Sequence, residues 1–139
     1  MWGSANRKLR SKRTTLLAQG TVVEGTVKFE GCLEIEGTVH GNVYAHHGDD
    51  ATLVRVLESG QVNGEIRAPA VIINGTVRGD VYAFEQLELA ANAVVDGDVH
   101  YHLLEMLKGA QVNGALVRQE GGDIIQGSAL ALPTVQGSS

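Results

Sequence analysis

Apolar and polar positions alternate along this chain in short bursts, and the bursts recur. Each is an apolar residue, three residues of any kind, a small residue, one more of any kind, then Val-x-Gly-x-[Val, Ile or Leu]. The six copies are Leu17, Thr21, Val23, Gly25, Val27; Leu33, Gly37, Val39, Gly41, Val43; Val56, Gly60, Val62, Gly64, Ile66; Val71, Gly75, Val77, Gly79, Val81; Leu89, Ala93, Val95, Gly97, Val99; and Met106, Ala110, Val112, Gly114, Leu116. From the small residue onward these positions fall two apart, the period of a β-strand, so they share one face. Between them stand Glu24 and Thr26, His40 and Asn42, Asn63 and Glu65, Arg78 and Asp80, Asp96 and Asp98, and Asn113 and Ala115. Almost all are polar, which predicts a wet outer row and an apolar inner one.

The Val-x-Gly glycines are 16, 23, 15, 18 and 17 residues apart. Segments of this length have no room for a strand, a helix and a return. They suit one turn of three short strands joined by tight corners. With strands ~4.8 Å apart, six coils stack into a rod of about 29 Å. Asn63-Gly64, Asn74-Gly75 and Asn113-Gly114 are read as corners that need positive φ. The predicted fold is all-β: a single right-handed parallel β-helix, a solenoid of about six coils. The long second interval marks an insertion near residues 45–51.

Composition fits a narrow core: 18 Gly, 2 Pro and only 4% aromatic residues in 139. That length suits one domain. A single Cys32 excludes an internal disulfide and makes a reducing cytosol the default. There is no apolar run of membrane-spanning length and no signal-peptide core, so the expected location is cytoplasmic. Charge divides the chain in three. Residues 1–13 hold five basic residues and no acid, whereas residues 14–118 hold 6 basic and 14 acidic residues, a formal −8. The layout predicted is a basic flexible arm over 1–14, the β-helix over 15–118, and a disordered tail over 119–139.

Six Val-x-Gly coils between short non-repetitive ends resemble the bactofilins, bacterial polymer-forming cytoskeletal proteins. Residues 37–45 (Gly-Thr-Val-His-Gly-Asn-Val-Tyr-Ala) and 73–83 (Ile-Asn-Gly-Thr-Val-Arg-Gly-Asp-Val-Tyr-Ala) carry the resemblance best, with Ala93-Val-Val-Asp-Gly-Asp-Val behind them. It covers roughly residues 18–118. It implies a right-handed β-helix that polymerises without nucleotide, often at the inner membrane, and places cell-wall enzymes or polarity factors. It also implies ends that pair like with like. The rival fold is the left-handed hexapeptide helix of acyltransferases, which needs coils of 18 and a near-strict period of six. The observed intervals fit it poorly, and crossover handedness favours the right-handed turn.

Candidate chemistry is sparse. His46, His47, Asp49 and Asp50 form the most metal-like group, but no ligand spacing supports a site, and they read as an exposed turn. His100 and His102 flank an inward Tyr101 and point out, as does His40. Asp96 and Asp98 lie two apart on one strand face, yet a general acid–base pair needs a pocket that shifts its pKa, and an open solenoid face supplies none. No glycine-rich loop leads into a helix with Lys-Ser/Thr, so nucleotide binding is not indicated. No catalytic residue, cofactor or metal ligand is assigned, and the expected protein is not an enzyme.

The ends and the excess of apolar residues are more informative. No amphipathic capping helix is evident before Leu17 or after Leu116. Leu16, Leu17 and Val22 at one end, and Leu103, Leu104, Met106, Leu116 and Val117 at the other, are predicted to be bare and to stack on other copies. Leu57, Ile72, Ala90 and Leu107 follow the leading apolar position in coils three to six and are read as an outward stripe for lateral or partner contact, or as corner residues that tuck in. Met1, Trp2, Arg7, Lys8, Arg10, Lys12 and Arg13 suit a tether to an anionic membrane surface. Nucleic acid is disfavoured because the rod is acidic. The expected function is a scaffold that self-assembles into filaments on the inner face of the cytoplasmic membrane and positions cell-shape factors. Its alternatives are an acyltransferase-like enzyme and a small-oligomer adaptor.

Overall fold

The computed structural model describes residues 13–45 and 52–119, and within them every regular element is a strand. The first coil is β1 (Thr14–Leu17), β2 (Val22–Glu24) and β3 (Val27–Phe29). The second is β4 (Cys32–Ile35), β5 (Thr38–His40) and β6 (Val43–Ala45). β7 (Leu53–Val56) and β8 (Gln61–Asn63) open the third coil, β10 (Thr76–Arg78) lies in the fourth, β12 (Val94–Asp96) in the fifth and β14 (Gln111–Asn113) in the sixth. The expected three-strand coil is modified here. The last strand of one coil and the first of the next fuse into β9 (Ile66–Ile73), β11 (Val81–Leu89) and β13 (Val99–Met106), before β15 (Leu116–Arg118) ends the stack. The fusion turns three expected walls into two sheets, one of nine strands and one of six. All pairings are parallel, each strand on its counterpart one coil away.

Register turns the repeat into columns. Val23, Val39, Val62, Val77, Val95 and Val112 stack through the six-stranded sheet. Val27, Val43, Ile66, Val81, Val99 and Leu116 form a second column. Leu17, Ile35, Val56, Ile73, Leu89 and Met106 form a third, beside Thr15, Leu33, Val54, Val71, Leu87 and Leu104. From coils two to five, these column residues are 0–1% exposed. β-branched side chains suit this pleated interior, and each buried one contributes about 1.5–3 kcal/mol. Rings enter this core at its two ends: Phe29 is buried in the first coil, and Tyr101 packs half-buried against the core from the fifth.

The uneven intervals arise at two corners. Between first and second strands, coils two and four turn over Glu36-Gly37 and Asn74-Gly75 alone. The others use four residues, such as Leu57–Gly60. Between one coil and the next, the chain crosses with Pro69 alone, with a bulge at Phe84 and Glu85, or with the segment that includes 46–51. The short corners correct the sequence alignment. Leu33 and Val71 do not stand level with Leu17 and Val56; Ile35 and Ile73 do.

Candidate functional site: the open ends and outer ladders

The glycines of Val-x-Gly mark the closest approach between coils. A Cβ at Gly41 would overlap the carbonyl of Gly25, at Gly64 that of Gly41, at Gly79 that of Gly64, at Gly97 that of Gly79, and at Gly114 that of Gly97. The expected reason, positive φ at Asn-Gly corners, is therefore not the deciding one. Gly75 and Gly114 are not in positive φ, and all these glycines except Gly25 are required because the coil beneath occupies the space of a side chain.

The position after three of these glycines, Gly41, Gly79 and Gly97, does a second job. The Asn42 Oδ1 accepts the backbone N–H of Glu65 at 2.9 Å, Asp80 Oδ1 accepts that of Asp98 at 3.0 Å, and Asp98 Oδ1 accepts that of Ala115 at 2.9 Å. Short Asn and Asp side chains thus satisfy corner N–H groups that a fully regular ladder would leave over. Asp96 donates nothing; it accepts from the Asn113 amide at 2.6 Å and lies 3.9 Å from Arg78. The two carboxylates of the Asp96–Asp98 pair therefore serve separate structural bonds.

On the outer face of the third wall, Tyr44, Arg67, Tyr82 and His100 occupy one register column. The Tyr44 hydroxyl donates to Glu65 Oε1 at 3.1 Å and Arg67 Nε to the same oxygen at 2.9 Å. The Arg67 guanidinium lies 4.3 Å from the Tyr82 ring centre, and Tyr82 stacks on His100 at 4.4 Å and 4°. The bond to Glu65 raises the Arg67 pKa, burial and then Asp80 raise that of Tyr82, and burial lowers that of His100. Of the five Phe and Tyr residues among the described ones, Phe29, Tyr44, Tyr82 and Tyr101 lie on this wall, and Phe84 sits in the bulge that follows it. Sequence spacing missed the ladder because its members are 15 to 23 residues apart.

Among the described residues, the exposed large apolar side chains lie at the ends: Leu16, Val22, Leu103, Met106, Leu107 and Leu116, at 42–59% exposure. All belong to the first or sixth coil. β1, β3 and β15 are edge strands of the nine-stranded sheet, and β2 and β14 those of the six-stranded one. Each rod end thus offers unpaired backbone groups around an apolar centre. At the first coil this centre opens into a cavity of about 340 Å³ lined by Leu17, Val27, Phe29 and Leu33, with Arg13, Lys28 and Glu30 on its rim.

A family model described as "Bactofilin: Polymer-forming cytoskeletal" matches residues 15–117, nearly the whole stack. The chain belongs to the bactofilin family. Bactofilin BacO of Myxococcus xanthus is 30% identical over 108 residues, which is 74% of this chain and 82% of that protein. No solved structure matches. The chain is thus a bactofilin of a polymer-forming, cytoskeletal kind. No helix among the described residues is long and apolar enough to cross a membrane.

The residues singled out from the sequence now divide by where this bactofilin places them. Leu17, Leu104, Met106 and Leu116 stand in inward columns and top or tail the core. Leu16, Val22, Leu103 and Val117 alternate with them and stand on the side walls of the end coils, level with Glu34, Thr38, Gln86 and His100. The stripe of Leu57, Ile72, Ala90 and Leu107 is not one row. Ile72 lies inside β9, level with Arg55 and Glu88, while Leu57, Ala90 and Leu107 sit in corners level with Asn74. The two-residue corner of the fourth coil breaks the alignment. His46, His47, Asp49 and Asp50, and all arm residues except Arg13, lie outside the described residues. Arg13 is placed 3.8 Å from Glu30.

Proposed function

We propose that this bactofilin is a non-enzymatic scaffold that polymerises without nucleotide by stacking its first and sixth coils on those of other copies. In this reading the Met1–Arg13 arm holds the polymer on the inner face of the cytoplasmic membrane, where it positions cell-wall or cell-shape proteins. The observation that carries the reading is that, among the described residues, the exposed large apolar side chains are confined to the two end coils. An edge that keeps its unpaired strand groups and an apolar centre is normally blunted in a monomer. Leu17, Leu104, Met106 and Leu116 are the centre of the proposed contact, and Leu16, Val22, Leu103 and Val117 its rim.

Five basic residues near an anionic surface contribute about 1 kcal/mol each before ordering costs, so one subunit binds weakly. A filament presents many arms at once, and avidity makes the attachment firm. The rod's own negative charge leaves this work to the arm. Electron microscopy of the purified protein without nucleotide tests assembly: filaments are expected, and a monodisperse small species overturns the reading. Co-sedimentation with anionic liposomes tests the tether. Loss of residues 1–13 should release the polymer from vesicles without dissolving it.

A further inference from the structure

We infer that His100 is an acid-sensitive latch for the last strand: β15 lies flat over the neutral ring and lifts when the ring takes up a proton. The inference rests on the stacking reading above, because β15 carries Leu116, part of the sixth-coil face. His100 is half-buried between two neighbours. On one side the Tyr82 ring lies parallel at 4.4 Å, itself backed by the Arg67 guanidinium at 4.3 Å. On the other, Val117 of β15 takes the same register position. The Nδ1 of His100 is buried and has no hydrogen-bond partner.

β15 is three residues long and exposed or half-exposed throughout. Beyond its short pairing with β13, it is held at its ends. The Ala115 N–H donates to Asp98, the Gln119 N–H donates to the Tyr101 carbonyl at 2.6 Å, and His102 Nδ1 donates to the Gln119 carbonyl at 3.0 Å. A proton on His100 puts a charged donor where no acceptor waits, so the ring must reach water. The Tyr82 side is closed by the stack beneath it. The β15 side, one short edge strand, is the side that gives way.

The charged and titratable groups around the ring pull in both directions. Asp80 and Asp98 at the corners, and Glu65 beyond them, favour the proton; Arg67 opposes it. Tyr82 faces the ring from β11. β15 sets the uncharged Val117 against it, with Arg118 on the inward side of that strand, and β13 itself contributes His102. Burial is the largest influence and lowers the His100 pKa below its ordinary 6.5. The neutral ring is therefore the folded form. Its contribution is complete above 6.5 and is lost as pH falls through that value towards the lowered one.

The test uses the full chain carrying Leu17→Arg and Met106→Arg, which the stacking reading keeps monomeric. Amide exchange is compared between about pH 8 and about pH 5. After correction for intrinsic chemistry, β15 amides should open more at acid pH, by up to about tenfold per unit of pKa lowering. The amides of β10 and β12 should not change. His100→Phe keeps the ring stack and should abolish the acid response; His100→Gln, the second variant, should do the same without the ring. In the otherwise wild-type chain, pelleting of filaments should fall at acid pH and stay level with His100→Phe. No acceleration at β15, or the same acceleration in both His100 variants, overturns the latch. If the double-Arg protein still pellets like wild type, the stacking reading falls instead, and the exchange comparison still decides the latch.

Discussion

The middle coils and the end coils are written in the same repeat, yet they are held in different ways. Coils two to five have a neighbour on both sides. Their Val77, Val95, Ile73 and Leu89 are fully buried, and their glycines are pressed against the coil beneath. Coils one and six have one neighbour each. The equivalents Val23, Val112, Leu17 and Met106 are half-buried or exposed, and Gly25 has open space where Gly79 has none. The same residue is therefore a structural necessity at one level of the rod and a contact surface at another. Position in the stack, more than residue type, decides which.

Substitutions matched across that divide should separate the two roles. Val77→Asp places an unpaired charge in the centre of a six-valine column and should cost several kcal/mol, on the order of 4 or more, with loss of soluble folded protein. Wild-type circular dichroism for that variant would remove the inward assignment. Gly79→Ala sets a methyl against the Gly64 carbonyl and should cost about 3 kcal/mol by thermal or denaturant unfolding. Gly25→Ala, with the same motif position but nothing beneath it, should lose only about 1–2 kcal/mol, from its φ of 115° alone. Equal losses at the two glycines would show that coil contact is not what selects them.

Asp98→Ala removes the acceptor for the Ala115 N–H and should lower stability by about 1–2 kcal/mol, whereas Asp96→Ala, which loses only bonds on an exposed face, should lower it by less than about 1. The reverse order would contradict the corner role of Asp98. Leu116→Arg should have the smallest effect on the monomer, within about 0.5 kcal/mol, because the side chain is already wet. Its effect on assembly should be the greatest of the set. Analytical ultracentrifugation should show a folded small species, and long filaments from that variant would move the contact to another face.

Much of the stack was legible in advance because a two-residue alternation is local. Val-x-Gly-x-Val places Val77, Gly79 and Val81 on the chain without knowledge of what lies above or below. What lay out of reach depended on neighbours one coil away. The two-residue turn at Asn74-Gly75 shifts Ile73 into the place that spacing gave to Val71, and with it breaks the supposed stripe through Ile72. The role of Gly79 depends on a carbonyl 15 residues earlier. The ladder from Tyr44 to His100 is invisible until register aligns it. The exposure of Leu16 and Leu116 was legible for a different reason: the first and last copies of a repeat have a neighbouring copy on one side alone, in any register.

One plain feature of the topology sets a distance. The chain enters at β1 on one edge of the nine-stranded sheet and leaves at β15 on the other. Six parallel layers at ~4.8 Å separate those exits by roughly 25–29 Å. Because every layer is fixed in register to the next, that separation does not vary as a flexible linker's would. Whatever continues from Thr14 and from Arg118 leaves the rod at two points held that far apart. The sequence before the first exit is basic and that after the second is largely polar, so two chemically different segments leave the rod at a defined separation.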